Sequence, residues 1–467
     1  MSLVDPGSFR DPAGAVFFHE GRVFRALSGQ GYASLRPVLD SGLLTRWSER
    51  GVAVGTVLVE DGRFGGEIPN GLPFEVAGIL EHDLIDHVSY PYEWPFALLK
   101  KAALLHLDLQ IEALDEGFSF SDSSAFNVQF DGSKPILMDV LSLRPYQEGE
   151  YWAGYRQFCE QFLNPLLLTA RTGIPHCAWY RGALHGIGTQ DIASVLPMSS
   201  RFSINALLHV FLHARLIRTA HRLDDVSVRR SRRLTRPALR AMLSGMRSWV
   251  VSLKPKGIGD SFWADYETRN SYAPEETHRK RDFVGAYVRE VEPRKVIDIG
   301  CNSGDYSELV LANGAQSVVG YDLDHGALAA AVSRAEAKNL AFLPLFLDVS
   351  NPSPDQGWQQ AERKGFAARA NADGMVALAL IHHMVIGSNI PLAQAVRWLS
   401  GIAPTGVIEF VPKEDPMVQG MLRNREDIFS GYSIEAFRQT LGNHADIVRE
   451  TVVGESGRTL FQYRGRH

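Results

Sequence analysis

The sequence has few cysteines, no long apolar run and no large excess of charge, and each shortage excludes a class of protein. Its three cysteines, Cys159, Cys177 and Cys301, lie far apart, so they form neither a disulfide framework nor a zinc-binding spacing. No segment approaches the roughly eighteen consecutive apolar residues of a membrane-spanning helix. The first residues lack the basic patch and apolar core of a secretory signal. We therefore expect a cytoplasmic protein with no structural metal and no membrane partner.

Charge of either sign is also modest overall, but basic residues concentrate in one region. The chain carries 48 Lys and Arg against 53 Asp and Glu, a formal net charge of -5, which argues against a protein that coats nucleic acid. Between Arg215 and Lys256, however, the sequence contains about a dozen basic residues and two acidic ones. The densest part of this region is the run Arg229, Arg230, Arg232, Arg233, Arg236 and Arg240. A solvated connector between domains is predicted here, and a docking strip for RNA phosphates is the alternative.

The same region is a predicted domain boundary. At roughly 150 residues per domain, 467 residues correspond to two or three domains. An apolar helical run at 202–217 precedes the basic stretch, and the helix breakers Pro255, Gly257 and Gly259 follow it. We predict an N-terminal α+β domain at 1–218, a basic linker at 219–260 and a second domain at 261–467.

The second domain alternates short β-branched runs with longer helical ones, which is typical of a parallel sheet wound with helices. The predicted fold class is α/β, with a Rossmann-like sheet. The strand candidates and the last helix are 296–299, 317–321, 342–347, 375–380, 406–410, the helix 434–441, and a final hairpin of 446–453 with 459–463. Such sheets bind ligands at the carboxyl ends of their strands, so functional residues are expected just after these runs.

A glycine-containing turn follows the first of these strands. The run VIDIGCNSGDY at 296–306 places Gly300 and Gly304 between a strand and a helix, where the backbone can pass close to a ligand. The second strand ends in Asp322, about two dozen residues beyond Asp298, where a carboxylate can accept the two hydroxyls of a ribose. A dinucleotide oxidoreductase is the competing interpretation, but it predicts GxGxxG, and the spacing here is GxxxG.

From about residue 283 onward, these motifs resemble those of class I S-adenosylmethionine-dependent methyltransferases. The resemblance implies S-adenosylmethionine as the cofactor and a sheet that ends in a reversed strand. It implies that Asp298 and the loop from Gly300 to Gly304 lie along the methionine moiety, Asp322 takes the ribose hydroxyls, and Asp348 lies near the adenine amino group. The middle glycine of the usual loop is Asn302 here. The implied cofactor-binding residues are Asp298, Gly300, Cys301, Asn302, Gly304, Asp322, Leu323, Asp348, Val349 and Leu380.

Two histidines follow the fourth strand candidate, where the transferred methyl group would be presented. A neutral imidazole of His382 or His383 can remove a proton from an attacking hydroxyl or can orient the acceptor, and packing is the third interpretation. Alternation along a strand would point the two rings to opposite sides. Glu409 and Lys413, near the fifth strand, are candidates for the acceptor pocket or for an ion-paired loop.

The acceptor is only partly indicated. No paired His and Glu at metal spacing follows the fourth strand, so Mg-assisted transfer is disfavoured. The Asp/Asn-Pro-Pro-Tyr signature that often accompanies methylation of nucleobase and amide nitrogen is absent. An oxygen of a small molecule or glycan is the predicted acceptor, with nitrogen and nucleic acid left open. A non-catalytic module that only binds the cofactor is a further alternative.

The N-terminal half combines predicted strands and helices with one polar motif. Asp122, Asn127 and Asp139 are spaced as in the catalytic and metal-binding loops of protein-kinase-like phosphotransferases, and over about twenty residues the segment resembles them. The resemblance implies a bifunctional kinase and methyltransferase as an alternative function. The usual His or Arg before the first Asp is absent, Val140 follows Asp139, and Arg25 is the nearest stand-in for the strand lysine. The other interpretation is that the three polar residues cap turns around a hairpin.

The remaining predictions concern a candidate lid and the secondary structure of the first half. Trp263, Tyr266 and Tyr272 are candidates for a lid over the cofactor. The predicted secondary structure of the first half is a hairpin at 15–25 turning at Glu20-Gly21, a helix at 32–50, and strands at 52–59 and 74–79.

Overall fold

The computed structural model describes residues 3–59, 64–220, 234–257, 274–423 and 425–466. It divides into two compact units, the first comprising 1–257 with 356–363 and the second comprising 258–355 with 364–467. The densest arginines of the basic stretch, Arg229 to Arg233, lie outside the described residues, and so do Gly259 and the candidate lid residues Trp263, Tyr266 and Tyr272.

The first unit contains an antiparallel sheet in the order β1-β2-β3-β5-β4. The predicted hairpin is confirmed: β2 (Gly14–His19) pairs with β3 (Arg22–Leu27), and Glu20 and Gly21 both have positive φ in the turn between them. The strand predicted at 74–79 begins later, at Gly78. Gly78 and Ile79 pair with β3, whereas Phe74 and Val76 precede the strand and pack onto the Phe17–Phe24 cluster. The remaining strands of this sheet are β1 (Leu3–Val4), β4 (Thr56–Leu58) and β5 (Gly78–His82).

The helix predicted over 32–50 is two helices, α1 (Gly29–Asp40) and α2 (Leu43–Glu49). They separate at Gly42, whose φ of 71° is left-handed and ends the helical path. Most of this unit's other elements follow the 20-residue helix α3 (Phe96–Asp115). The others are β6 (Phe118–Phe120), β7 (Val128–Asp131), β8 (Lys134–Leu137), β9 (Leu143–Pro145), α4 (Tyr155–Phe158), α5 (Asn164–Thr172), α6 (Cys177–Gly182), α7 (Thr189–Val195), α8 (Ile204–Ala206) and α9 (His213–Ala220).

The predicted linker region contains a helix, α10 (Arg236–Ser252), that packs on α3. One face of this helix, including Leu239 and Leu243, is fully buried. Arg240 Nε lies 2.8 Å from Asp115 Oδ1, and Arg247 pairs with Asp108. Arg240 and Arg247 of the basic stretch thus pair with acids of α3.

The second unit is built on a seven-stranded sheet whose order, β12-β11-β10-β13-β14-β16-β15, confirms the predicted Rossmann-like fold. The strands β10 to β14 are parallel, and β16 lies antiparallel to both β14 and β15. The strands are β10 (Lys295–Ile299), β11 (Ser317–Asp322), β12 (Phe342–Phe346), β13 (Gly374–Ala377), β14 (Thr405–Phe410), β15 (Ala445–Val452) and β16 (Thr459–Gly465).

The central strands are buried along almost their whole length because helices cover the sheet. Phe283, Val284 and Tyr287 of the first of these helices belong to one apolar cluster with Val296 and Val318 of the sheet. The helices of this unit are α11 (Pro274–Val291), α12 (Asp305–Ala312), α13 (His325–Ala337), α14 (Phe366–Arg369), α15 (Leu392–Ser400), α16 (Pro416–Leu422) and α17 (Ile434–His444). None of the helices in the described ranges combines the length and apolar composition needed to cross a membrane.

Candidate active site

A pocket of about 670 Å³ lies at the carboxyl edge of the sheet in the second unit. The sequence-predicted residues that line it are Asp298, Gly300, Cys301, Asn302, Asp322, Leu323, Asp348, Val349, Leu380, His382 and His383. The lining residues that were not predicted as site residues are Thr277, Lys280, Arg281, Asp305, Tyr306, Tyr321, Asp324, Leu347, Leu378, Ala379, Ser388, Met417 and Arg458.

The loop after β10 is fastened to the neighbouring strand. The backbone N–H groups of Gly300 and Cys301 donate to the carbonyl of Tyr321, at 2.7 and 3.0 Å. Asp298, which is 2% exposed, accepts a hydrogen bond of 2.7 Å from the hydroxyl of Ser307. The first turn of the loop is therefore fixed by β11 before any ligand arrives.

The residue that replaces the usual middle glycine fits its place. Asn302 has a φ of 49°, in the left-handed region that asparagine tolerates better than most side chains. Its side-chain oxygen accepts from the N–H of Ser303 at 2.7 Å. The departure from glycine therefore leaves the loop geometry intact.

Asp322 is held by backbone donors on both sides. Its Oδ2 accepts from the N–H of Asn302 at 2.9 Å, and its Oδ1 accepts from the N–H of Asp324 at 2.8 Å. Burial raises the pKa of Asp322, and these N–H donors oppose that rise. Since each carboxylate oxygen can accept more than one hydrogen bond, Asp322 can still receive two hydroxyls of a ligand.

Gly304 was predicted as a cofactor residue, but it does not line the pocket. It precedes α12 with a φ of 88°, and a Cβ built there would lie 2.5 Å from Cε1 of Phe342. A glycine is therefore required at position 304, both by the turn and by the close packing of the loop on β12.

Asp348 shapes the loop after β12. Its Oδ1 accepts from the N–H of Ser350 at 2.9 Å and from the hydroxyl of Ser350 at 2.6 Å. This Asx turn places Val349 beside it in the pocket wall. The loop contributes one polar and one apolar side chain next to Leu347.

The prediction that the two histidines alternate on a strand was wrong. β13 ends at Ala377, and His382 and His383 lie in a helical segment, so both rings line the pocket with centroids 4.2 Å apart. Burial lowers the pKa of both imidazoles, which keeps them neutral at pH 7. His382 is 1% exposed, and neither of its ring nitrogens has a partner among the described residues. An unpartnered buried polar group at a pocket wall is typical of a ligand contact.

Glu409 and Lys413 do not line the pocket. Glu409 is fully buried behind the pocket, where its Oε2 accepts from Lys280 Nζ at 2.6 Å and from the N–H of Ala379 at 2.8 Å. Lys413 pairs with Asp427 at 2.8 Å, as the ion-paired-loop interpretation predicts. Lys280 does line the pocket. No local sequence motif predicts this, because its partner Glu409 is 129 residues away.

In the first unit, Arg25, Asp122 and Asp139 lie close to one another. Arg25 of β3 pairs with Asp139, and Asp139 is close enough to Asp122 to raise its pKa, after the larger effect of burial. Asp122 also accepts from the N–H of Ser124 at 2.8 Å, which is the turn-capping arrangement. Among the described residues, no group of three or more His, Cys, Asp or Glu is arranged to hold a metal ion.

The buried carboxyl of Asp298 predicts a pH dependence of stability. Burial raises its pKa from 3.8 to about 7, so between these values the folded protein holds a proton that the unfolded chain has released. The free energy of unfolding is expected to fall as the pH rises from about 4 to about 7. Asp298→Asn should flatten this dependence in urea unfolding followed by tryptophan fluorescence, and the exposed-site control Asp446→Asn should not. Equal slopes for the wild type and Asp298→Asn would contradict the prediction.

The comparisons with known proteins extend this picture. No family model matches the chain. Nodulation protein NoeA of Rhizobium meliloti (strain 1021) is 43% identical over 466 residues, which cover 98% of this chain and 95% of NoeA. Ribosomal protein L11 methyltransferase of Colwellia psychrerythraea is 28% identical over 123 residues, covering 23% of this chain and 42% of that protein. The crystal structure of N-methyltransferase NodS from Bradyrhizobium japonicum WM9, in complex with S-adenosyl-L-homocysteine, is 12% identical, covers 43% of this chain and 91% of NodS, and has a TM-score of 0.31.

The full-length match to NoeA fixes the family, and the strand order with its reversed β16 fixes the fold of the second unit. The chain belongs to the family of nodulation protein NoeA, and its second unit has the fold of a class I S-adenosylmethionine-dependent methyltransferase.

Proposed function

We propose that the chain binds S-adenosylmethionine in the pocket of the second unit and transfers its methyl group to an oxygen of a small molecule or glycan. When bound, the cofactor supplies a methyl group on a positively charged sulfur. The observation that carries the proposal is that one pocket holds both a carboxylate-lined loop region and a neutral buried imidazole.

The carboxylates fit the cofactor's polar groups. Asp298, Asp305, Asp322, Asp324 and Asp348 all line the pocket, so its loop region is negative and suits a ligand with ammonium and sulfonium charges. Asp322, fixed by two backbone donors, is placed to accept ribose hydroxyls. The methionine moiety is assigned to the side of Asp298, and the adenine to the side of Asp348 and Val349.

His382 is the proposed general base. The bound cofactor would supply the methyl group and would leave as the neutral thioether, and the imidazole of His382 would take the proton of the attacking hydroxyl. His382 suits this step because it is neutral and has an unpartnered nitrogen at the pocket wall. His383, whose ring lies beside it, is assigned to positioning. In-line transfer depends largely on holding donor and acceptor collinear away from water, which a buried pocket favours.

Asp322→Ala is expected to weaken binding of S-adenosylmethionine and S-adenosylhomocysteine by about 2 kcal/mol, the cost of losing hydrogen bonds to a charged group. Calorimetric titration of the purified chain measures this directly. Asp322→Asn keeps an acceptor oxygen for one of the two loop N–H groups, so comparing its unfolding with that of Asp322→Ala separates a loss of binding from a loss of loop structure. The control Asp446→Ala, whose side chain pairs with Arg466, should bind as the wild type does. Unchanged affinity of Asp322→Ala would remove this residue from the cofactor site.

His382→Gln is expected to reduce kcat by about 10²- to 10⁴-fold, the usual contribution of a general base, while the affinity for S-adenosylhomocysteine changes by less than about threefold. Methyl-labelled cofactor incubated with cell extract, followed by mass spectrometry of the product, supplies the assay substrate. The control His444→Gln alters an exposed histidine of the same unit and should keep full activity. A kcat within about twofold of the wild type would assign His382 to packing.

The first unit is proposed to contribute to acceptor recognition, because the second unit already contains the residues assigned to the cofactor. A fragment of residues 260–467 is therefore expected to bind S-adenosylhomocysteine as the full chain does but to lose activity on the labelled product's acceptor. Full activity of the fragment would contradict this role.

Two other functions carry less support. A bifunctional kinase and methyltransferase is favoured only by the meeting of Arg25, Asp139 and Asp122, which the turn-capping interpretation also explains. The hypothesis that RNA docks on the basic stretch is not supported by Arg236 and Arg240, because both bind the helix α3 at Asp115.

A further inference from the structure

We propose that Arg458 binds an anionic group, a carboxylate or a phosphate, on the methyl acceptor. This inference rests on the proposed function and deepens it, because it names the chemical class of the acceptor. It comes from a set of four buried charged residues beside the pocket, defined here as the charge quartet: Lys280, Glu409, Asp415 and Arg458.

The charge quartet is almost completely withdrawn from water. Its members are 4%, 0%, 2% and 3% exposed, in chain order. Arg458 binds Asp415 with two hydrogen bonds, Nε to Oδ2 at 2.6 Å and Nη2 to Oδ1 at 3.0 Å. Arg458 Nη1 also lies 3.8 Å from Glu409 Oε1, and Glu409 Oε2 accepts from Lys280. The four charges thus form one continuous chain with no net charge.

The positive and negative members of the charge quartet are nevertheless placed differently with respect to the pocket. Lys280 and Arg458 line the pocket, whereas Glu409 and Asp415 do not. The cations therefore stand in front and the carboxylates behind them. A ligand in the pocket meets the positive side of this layer at close range, in surroundings where charge is poorly screened. Such a wall attracts an anion although the quartet itself is neutral.

The two cations face different parts of the pocket. Burial raises the pKa of Asp298, and Lys280 is close enough to that carboxyl to oppose part of the rise; its ammonium lies 5.1 Å from the ring centroid of Tyr306, just after the loop. It thus belongs to the side assigned to the cofactor, where the methionine carboxylate would lie. Arg458 lies further along the chain of charges, beside Asp415, which caps the helix α16 by accepting from the N–H of Met417. Met417 lines the same part of the pocket wall.

Stability alone does not explain the pair of Arg458 and Asp415. Buried ion pairs often contribute no more than apolar residues of the same size, because desolvation offsets their attraction. The bidentate contact with Asp415 engages Nε and Nη2 and holds the guanidinium plane in one orientation, so the direction of its other N–H groups is fixed before a ligand binds. A preorganised guanidinium is well suited to a carboxylate or phosphate and loses little freedom on binding it.

The test uses the full chain saturated with S-adenosylhomocysteine and titrated with inorganic phosphate or acetate, with binding followed by calorimetry. The test variant is the double substitution Arg458→Gln/Asp415→Asn, which removes the pocket-facing cation and its buried partner together, so that no buried charge is left unpaired. The single substitution Arg458→Lys keeps the charge but not the planar donors. Arg464→Gln, which alters an exposed arginine near the opposite end of β16, is the control.

We expect one of the two anions to bind the saturated wild type, and the double variant to weaken it at least about tenfold, with the affinity for S-adenosylhomocysteine within about threefold. The control should bind as the wild type does, and Arg458→Lys should be intermediate. Stronger binding of phosphate points to a phosphate on the acceptor, and stronger binding of acetate to a carboxylate.

Three results would overturn the proposal: no anion binding to the saturated wild type, anion binding that the double variant leaves unchanged, or an anion that competes with S-adenosylhomocysteine. The last would assign Arg458 to the cofactor's own carboxylate. Failure of the proposed function gives a different result, because S-adenosylhomocysteine itself would then not bind the wild type.

Discussion

A single buried carboxylate, that of Glu409, connects the parts of the second unit that form the pocket. Through Oε2 it accepts from Lys280 of α11 and from the N–H of Ala379 after β13, and its Oε1 lies near Arg458, just before β16. These elements come from positions 280 to 458 of the sequence. Removing one partner of such a buried set typically costs about 3–5 kcal/mol, because the remaining charge stays buried without compensation. The pocket wall and the fold are therefore stabilised by the same contacts.

The position of the histidines follows from this constraint. Ala379 has a φ of 49°, which an alanine rarely adopts, and its N–H points to Glu409. The sharp turn ends β13 at Ala377 and starts the helical segment that carries His382 and His383. Had the strand continued, the two rings would have faced opposite sides of the sheet. The strained backbone at Ala379, held by its hydrogen bond to the buried carboxylate of Glu409, thus brings both imidazoles to one wall.

The sequence predicts the part of the site that is local in the chain. The loop at 300–304 and Asp322 are recognisable because a strand, a turn and a helix follow one another within a few dozen residues, and their backbone dihedrals limit which residues fit. Even there, the packing of Phe342 on Gly304 was not predictable, because it is a contact between distant residues. Lys280 and Arg458 could not be predicted, because each depends on partners brought close only by the folded sheet. The break after Ala377 was missed for the same reason: the apolar run continues through Leu380, and only the tertiary hydrogen bond to Glu409 accounts for the turn.

The two ends of the pocket are built by different rules. At the side assigned to the cofactor, the carboxylates are held mainly by backbone N–H groups at the strand ends. Asp322 accepts from Asn302 of the loop after β10 and from Asp324 of its own loop, and Asp348 accepts from Ser350. At the other side, Arg458 is fastened by side chains from separate elements, and its orientation depends on Asp415 and Glu409 being present together. A site of the first kind tolerates changes in the rest of the chain. A site of the second kind changes its ligand when one of its side chains is replaced, which is the property required of the part of an enzyme that distinguishes one acceptor from another.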